Sequence, residues 1–313
     1  MRRYHSIVMD SARWEDFEFR PDDIVISTPP KCGTTWMQRI CALLVFQETE
    51  LDRPLSAISP WLDMLTEKRE VVFADLDAQE HRRFVKTHTP FDGLPYDARV
   101  TYVCVGRDPR DAGFSFDNHM GNMDIDAFLA ARAEAVGLDD LAEVMPDGPP
   151  PPPSEDPLER FWGWVDTPDD GRAGIGTLEA LLHHLATFWE ARHLPNVALF
   201  HYADLKADLE GEMRRLAGIL GIDVPEERWP VLVEAATFEH MKERASSMAP
   251  NAERGIWKDN ARFFDQARHG SWREFLDENG LRRYEERATA LASPELLAWA
   301  HEGARVLGEF ATS

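Results

Sequence analysis

The chain is poor in thiols, in lysine and in long apolar runs. Cys32, Cys41 and Cys104 are the three cysteines in 313 residues, and they form no C-x-x-C pair. So sparse and odd a set argues against a disulfide framework or a cysteine zinc site, and fits a reducing compartment such as the cytoplasm. The longest apolar run, Ile40 to Phe46, is far too short to span a bilayer. The opening Met1-Arg-Arg-Tyr-His-Ser lacks the apolar stretch of a signal peptide, so no stable membrane insertion is expected. Positive charge is also scarce: the formal net charge is −22 and the pI is about 4.9. That balance argues against nucleic acid and anionic membranes as partners and serves solubility. An anionic ligand must then be held by a local basic pocket. Only six of the 34 Lys plus Arg residues are lysine, and two of them, Lys31 and Lys86, lie in the most motif-like segments. A chain that uses lysine rarely can reserve it for places needing a compact point charge.

What is present centres on Ser27-Thr-Pro-Pro-Lys-Cys-Gly-Thr-Thr-Trp36. A β-branched run, Ile24-Val-Ile, leads in, and a helix-patterned run, Met37 to Phe46, leads out. Strand, tight loop and helix in that order aim backbone N–H groups and a helix N-terminus at one spot, which makes an anion site. Lys31 adds a cation, and Thr34 and Thr35 add hydroxyls. The loop departs from the common nucleotide pattern, because Lys31 precedes Gly33 and Pro29-Pro30 stands where the first glycine belongs. Kinase or ATPase chemistry is therefore disfavoured. A plain capping role explains Gly33 and Thr34 but not the lysine. Cys32 reads better as a small residue filling the turn than as a thiol activated by the helix start. Cys104 reads as core.

Strand-like runs at Asp23–Thr28, Arg83–His88, Val100–Gly106 and Val197–Tyr202 alternate with amphipathic stretches at Thr34–Gln47, Asp111–Met120, Leu178–Arg192 and Lys206–Leu220. The alternation predicts one α/β domain over residues 1–313, with a mostly parallel central sheet flanked by helices and a P-loop-like nucleotide-binding core. Ligands in such sheets sit at the carboxyl ends of the strands, where the 29–33 loop, His88 and Arg107 all fall. The stretch Gly137 to Gly176 breaks the pattern with five consecutive prolines, Pro149 to Pro153, and Gly-rich turns. It reads either as a disordered surface insertion or as a lid over the acceptor pocket, since Phe161, Trp162 and Trp164 follow closely. The tail, Glu278 to Phe310, reads as two helices broken near Ser293-Pro294.

Two further clusters complete the pattern. In Phe84-Val-Lys-Thr-His-Thr-Pro90, Lys86 and His88 are two apart and share one face of a strand, about 7 Å from each other along the chain. Histidine can take a proton near neutral pH, and lysine can stabilise charge on a group in transit. In Val105-Gly-Arg-Asp-Pro-Arg-Asp-Ala-Gly-Phe-Ser115, Arg107 leaves a strand and Ser115 lies on the next helix, a guanidinium and a hydroxyl suited to phosphate. Arg110 and Asp111 between them read as surface charge.

Together these segments resemble the sulfotransferases that use 3′-phosphoadenosine-5′-phosphosulfate (PAPS), in particular the cytosolic type. That family's Pro-Lys-Ser-Gly-Thr-Thr-Trp is similar to Pro30-Lys-Cys-Gly-Thr-Thr-Trp36, its Lys-Thr-His to Lys86-Thr87-His88, and its Arg-Asn-Pro-Lys-Asp with a following Ser to Arg107–Asp111 with Ser115. Its Tyr-Glu-Asp-Leu-Lys resembles Tyr202–Lys206, and its Thr-Ser-Phe resembles Ala236-Thr237-Phe238. One short motif is weak, whereas five in the family's order are specific.

The resemblance implies a PAPS-dependent sulfotransferase that needs no metal. It releases adenosine 3′,5′-bisphosphate and moves a sulfuryl group in line to a hydroxyl or amine of a small molecule or lipid. It implies that Lys31 meets the bridging oxygen, that Cys32, Gly33, Thr34 and Thr35 hold the 5′-phosphate through their backbone, and that Lys86 binds sulfuryl oxygens. His88 is the implied general base. Arg107 and Ser115 would hold the 3′-phosphate, Trp36 and Phe238 would sandwich adenine, Tyr202 would contact the base, and Thr237 would offer a hydroxyl. The family's Arg-Lys-Gly-x-x-Gly-Asp-Trp is only half matched: Gly270 and Trp272 fit, Asp265-Gln266-Ala267 replace the triple, and Arg268, beside His269, is expected to substitute by a loop shift. The family's dimer signature is not recognisable around Arg273 to Glu278, so the sequence assigns no oligomeric state. The alternatives are a P-loop-like small-molecule kinase, which lacks an obvious acidic magnesium ligand, and a non-catalytic 3′-phosphoadenosine nucleotide-binding protein.

Overall fold

The structure, a computed structural model, describes residues 1–145, 148, 152–169, 175–248, 255–264 and 270–304. Four strands, β1 (Ile24–Ser27), β2 (Phe84–Thr87), β3 (Thr101–Gly106) and β4 (Val197–His201), form one parallel sheet in the order β2-β1-β3-β4. Both faces are covered, which is why the strands read as continuous apolar runs. Side chains still alternate. Ile24, Ile26, Val103 and Val105 pack with Met37 and Ile40 of α1 (Thr34–Phe46). Val25, Val85, Tyr102 and Cys104 belong to the other core, with Leu185 and Phe188 of helix Leu178–Ala191 and with Trp299.

Strand order sets the position of the site. From β1 the chain moves outward to β2, then returns across β1 to β3 and β4. The loops leaving β1 and β3 therefore diverge, and a crevice opens at their carboxyl ends. The expected strands are all present, slightly shortened. Tyr202 is the exception: it begins helix Tyr202–Ala207, because the His201 side chain accepts from the Ala203 N–H and caps it. The stretch expected as one helix from Lys206 to Leu220 is broken at Asp208, whose side chain accepts from the Gly211 N–H and starts a new helix, Leu209–Leu220. As far as residue 304 the tail folds as expected, as helices Glu278–Leu291 and Pro294–Glu302, with Ser293 capping the second, while residues 305–310 lie outside the described residues.

The proline-rich stretch contains two helices, Leu141–Val144 and Pro157–Asp166. Pro157 occupies the first turn of the latter, behind the Asp156 cap, where a missing N–H costs nothing. Pro149 to Pro151 lie outside the described residues. The aromatics that follow do not line the cavity described below. Phe161 stacks on Phe114 at 4.4 Å, and a Cβ on Gly113 would meet the Trp164 ring at 2.8 Å. Trp162 packs at the edge of this core. These aromatics seat their helix against helix Pro109–Asn122. Among the described residues no helix is long and apolar enough to cross a membrane.

Candidate active site

The loop after β1 is shaped by two left-handed residues, Lys31 (φ 66°) and Gly33 (φ 107°). Alternating backbone handedness turns successive N–H groups inward, making a concavity for an anion. A side chain at Gly33 is excluded twice over, by its φ and by the Tyr202 ring, 3.3 Å from where a Cβ would stand. Gly33 also caps α1, whose first N–H groups have no partner within the helix. The Thr28 and Thr34 hydroxyls meet at 2.5 Å beneath the loop. Arg107 donates to the Lys31 carbonyl at 2.9 Å, and its guanidinium lies 4.5 Å over the Tyr202 ring. Cys32 is fully buried, and burial pushes its thiol up to about 12. It fills the turn and is not an activated nucleophile.

The loop opens into a cavity of about 380 Å³. Lys31, Gly33, Thr34, Thr35 and Trp36 line it, as do Arg107, Ser115, Tyr202 and Phe238. Lys86 and His88 line it too, so the three sequence clusters meet in one space. The rest of the wall is apolar, built from Met64, Met120, Met123, Phe128, Ile256 and Trp257 among others. Met145 and Ile175, from either side of the proline-rich stretch, also face it.

The cations sit in low-dielectric surroundings. The Lys31 ammonium lies 4.4 Å over the Phe263 ring and 3.5 Å from His119 Nδ1. Burial, with Arg107 and Lys86 nearby, lowers its pKa to about 7. The Lys86 ammonium lies 4.3 Å over the Trp61 ring, and burial lowers its pKa to about 8. Aromatic faces stabilise both cations without neutralising them. Desolvated positive charge of this kind is a receptor for negative charge.

His88 is 6% exposed, and its Nδ1 lies 2.6 Å from the Thr28 carbonyl. A carbonyl only accepts, so Nδ1 carries the proton, and in the neutral ring Nε2 keeps its lone pair. Burial first, then Lys86, holds the imidazole well below its usual pKa, so it is neutral at pH 7. The Trp61 ring stands edge-on to it at 4.5 Å.

The adenine-side residues divide. Trp36 is fixed by its indole N–H on the Ala236 carbonyl at 2.8 Å and by an edge contact with Tyr202. Thr237 does not line the cavity. Its hydroxyl donates to the Glu234 carbonyl and accepts from the His240 N–H, capping helix Phe238–Glu243. Arg110 and Asp111 are not surface charge, as the sequence suggested. Asp111 is buried and accepts from the Gly270 N–H at 2.6 Å and the Ser271 hydroxyl at 2.9 Å. Arg110 pairs with Asp108 and covers the Trp272 ring at 3.9 Å. This pair of residues docks the Gly270–Trp272 turn onto helix Pro109–Asn122. Gly270 is thereby fixed outside the cavity wall, while Arg268 and His269 lie outside the described residues.

Sequence reasoning passed over Trp61, Asp63 and His119. His119 was within reach, since it lies four residues beyond Ser115, one turn on along the same helical face. Trp61 and Asp63 belong to an irregular segment, and no local pattern marks them.

The comparisons with known proteins agree with one another. A family model described as a sulfotransferase domain matches residues 21–293. A glycolipid sulfotransferase from Mycobacterium bovis (strain BCG / Pasteur 1173P2) is 46% identical, covering 96% of this chain and 94% of that protein. The fold is similar to retinol dehydratase in complex with androsterone and inactive cofactor PAP (TM-score 0.67, 22% identity, 91% of this chain and 84% of that one). It is also similar to mouse sulfotransferase SULT7A1 complexed with PAP (TM-score 0.66, 19% identity, 96% and 92%).

Proposed function

The chain belongs to the sulfotransferase domain family and is a sulfotransferase, and from that premise we propose that it draws the sulfuryl group from PAPS and passes it to a hydroxyl of a lipid or glycolipid acceptor. One observation carries the reading. Two desolvated lysines and a neutral buried histidine face a single cavity whose remaining wall, beyond Arg107, Ser115, Thr34, Thr35 and His119, is largely apolar.

The residues fit the nucleotide. The loop N–H groups at 33–35 and Lys31 would hold the 5′-phosphate, the Cys32 N–H being donated to the Pro29 carbonyl at 3.3 Å. Arg107 and Ser115, with Arg268 and His269 beside Gly270, would hold the 3′-phosphate. Trp36, Tyr202 and Phe238 offer the aromatic wall for adenine. When bound, the nucleotide supplies a sulfuryl group on a phosphate leaving group.

The chain's own residues then position and neutralise, as in phosphoryl transfer. His88 Nε2 accepts the acceptor's hydroxyl proton. Burial disfavours the resulting imidazolium, and the negative charge brought in by the donor offsets that. Lys86 stabilises charge on the group in transit, and Lys31 stabilises charge gathering on the departing oxygen. The apolar wall would take the acceptor's hydrocarbon part. Its five methionines, Met64, Met120, Met123, Met145 and Met241, can repack around chains of differing shape. The 46% identical relative is a glycolipid sulfotransferase, which favours the same acceptor class here. Three buried free thiols favour the cytoplasm as the compartment.

The test is transfer from sulfur-labelled PAPS to a panel of glycolipids, long-chain alcohols and phenols, alongside thermal stabilisation by adenosine 3′,5′-bisphosphate. Labelled lipid product is expected. Stabilisation by ATP–Mg²⁺ alone, with no labelled product, would overturn the reading.

A further inference from the structure

We propose that Asp63 is a positioning residue for the transfer reaction, its buried carboxylate fixing both the strand end that carries Lys86 and His88 and the Trp61 ring that walls them. The inference rests on the roles proposed above for those two residues.

Asp63 is 0% exposed, and four side-chain donors converge on it. The Trp61 indole donates at 2.6 Å, the Thr89 hydroxyl at 2.5 Å, the Thr87 hydroxyl at 2.7 Å and the Trp14 indole at 2.9 Å. Two of the donors flank His88 in sequence, so the carboxylate grips the backbone on both sides of the base. A third belongs to the ring that stands 4.5 Å from the His88 ring and 4.3 Å beneath the Lys86 ammonium. The main chain joins the same assembly. The Lys86 N–H donates to Pro60, and the Leu62 N–H donates to Lys86, so residues 60–62 run parallel beside the end of β2.

The acceptor demand requires a carboxylate. Indole N–H groups only donate, and one sits on each oxygen of Asp63. An asparagine would turn its amide donor toward one of those indoles and lose that bond. Asp63 also places negative charge in the field of Lys86, whose other ionisable neighbours are His88, His119 and Lys31. One buried residue thus fixes geometry at the base and favours the charged form of the lysine.

The test compares full-length wild type with Asp63→Asn, Thr89→Val and Thr89→Ser. For Asp63→Asn, adenosine 3′,5′-bisphosphate should bind within about threefold of wild type while kcat falls by about thirtyfold, the size expected from a small misplacement of reacting groups. The alkaline limb of its kcat profile should move to lower pH, because Lys86 loses a favourable charge. Thr89→Val, which removes one donor and keeps the charge, should lower kcat several-fold without moving that limb, and Thr89→Ser should restore kcat. It also covers the case of an Asp63→Asn protein that does not fold. Wild-type kcat in either Asp63→Asn or Thr89→Val overturns the inference.

A readout free of turnover separates this inference from the reaction itself. In nitrogen-15 histidine spectra, the His88 ring signal of the wild type should show a single tautomer protonated at Nδ1, and Asp63→Asn should shift or broaden it. An unmoved signal overturns the positioning role even where transfer is seen. A shifted signal in a protein that transfers nothing from PAPS supports positioning and rejects only the reaction reading.

Discussion

His88 donates its Nδ1 proton to the carbonyl of Thr28 at 2.6 Å, tying the residue that follows β2 to the one that follows β1. The bond selects the tautomer with a free Nε2, so the ring can accept a proton without rearranging. Replacing His88 with alanine should lower kcat by about 10²- to 10⁴-fold, the usual contribution of a positioned base. Binding of adenosine 3′,5′-bisphosphate should stay within about threefold of wild type, because the nucleotide groups are elsewhere. Single-turnover transfer and calorimetry check the two halves. Full activity under chemistry-limited conditions would remove the base assignment.

Nucleotide binding should take up protons. Free Lys31 has a pKa of about 7 and Lys86 of about 8, both lowered by burial. An anion beside them favours the ammonium form and raises both values. Between about pH 7 and 9 the complex therefore binds more protons than the free protein, and affinity weakens as pH rises through that window. Calorimetry in buffers of different ionisation enthalpy measures the uptake. Lys31→Gln should remove part of it, and equal uptake in both proteins would reject Lys31 as the source.

The Asp111 carboxylate should matter for both stability and nucleotide affinity. It holds the Gly270 N–H and the Ser271 hydroxyl while fully buried. Asp111→Ala removes charge-assisted bonds and leaves donors unpaired, a cost of about 2–4 kcal/mol. Denaturant unfolding reads that loss. If residues 268–270 hold the 3′-phosphate, the same variant should weaken adenosine 3′,5′-bisphosphate binding more than adenosine 5′-phosphate binding. Equal weakening of both would place the 3′-phosphate elsewhere.

Acceptor chain length should be read as free energy. Each methylene moved from water into the apolar wall gains about 0.8 kcal/mol, or close to fourfold in affinity. Across a series of straight-chain alcohols, KM should fall by about that factor per methylene and then level off once the cavity is full. Ile256→Trp should bring the plateau at a shorter chain, with nucleotide affinity unchanged. A KM independent of chain length would show that hydrocarbon binds outside this cavity.

Much of this site could be read from the sequence because its parts are local. The 27–36 loop, the Lys86/His88 pair and the Arg107/Ser115 pair each announce themselves within a few residues, through strand periodicity, turn glycine and cap chemistry. Asp63 could not be read, because its four donors come from residues 14, 61, 87 and 89 and meet only in the fold. Phe161 and Trp164 misled for the converse reason. Neighbouring aromatics suggest a pocket, but these seat a helix on Gly113 and Phe114. The break at Asp208 shows the competition between amphipathic periodicity and a side chain that caps.

Trp36 reaches Ala236 across 200 residues of chain. The aromatic wall proposed for adenine is therefore drawn from segments 200 residues apart and is incomplete on a partly synthesised chain. A ribosome-bound fragment ending before residue 236 carries the intact 27–36 loop yet lacks Phe238 and the carbonyl that fixes Trp36. A nucleotide bound as proposed would fasten the two segments together, and its loss should first loosen the seam between α1 and residues 236–238 rather than the sheet.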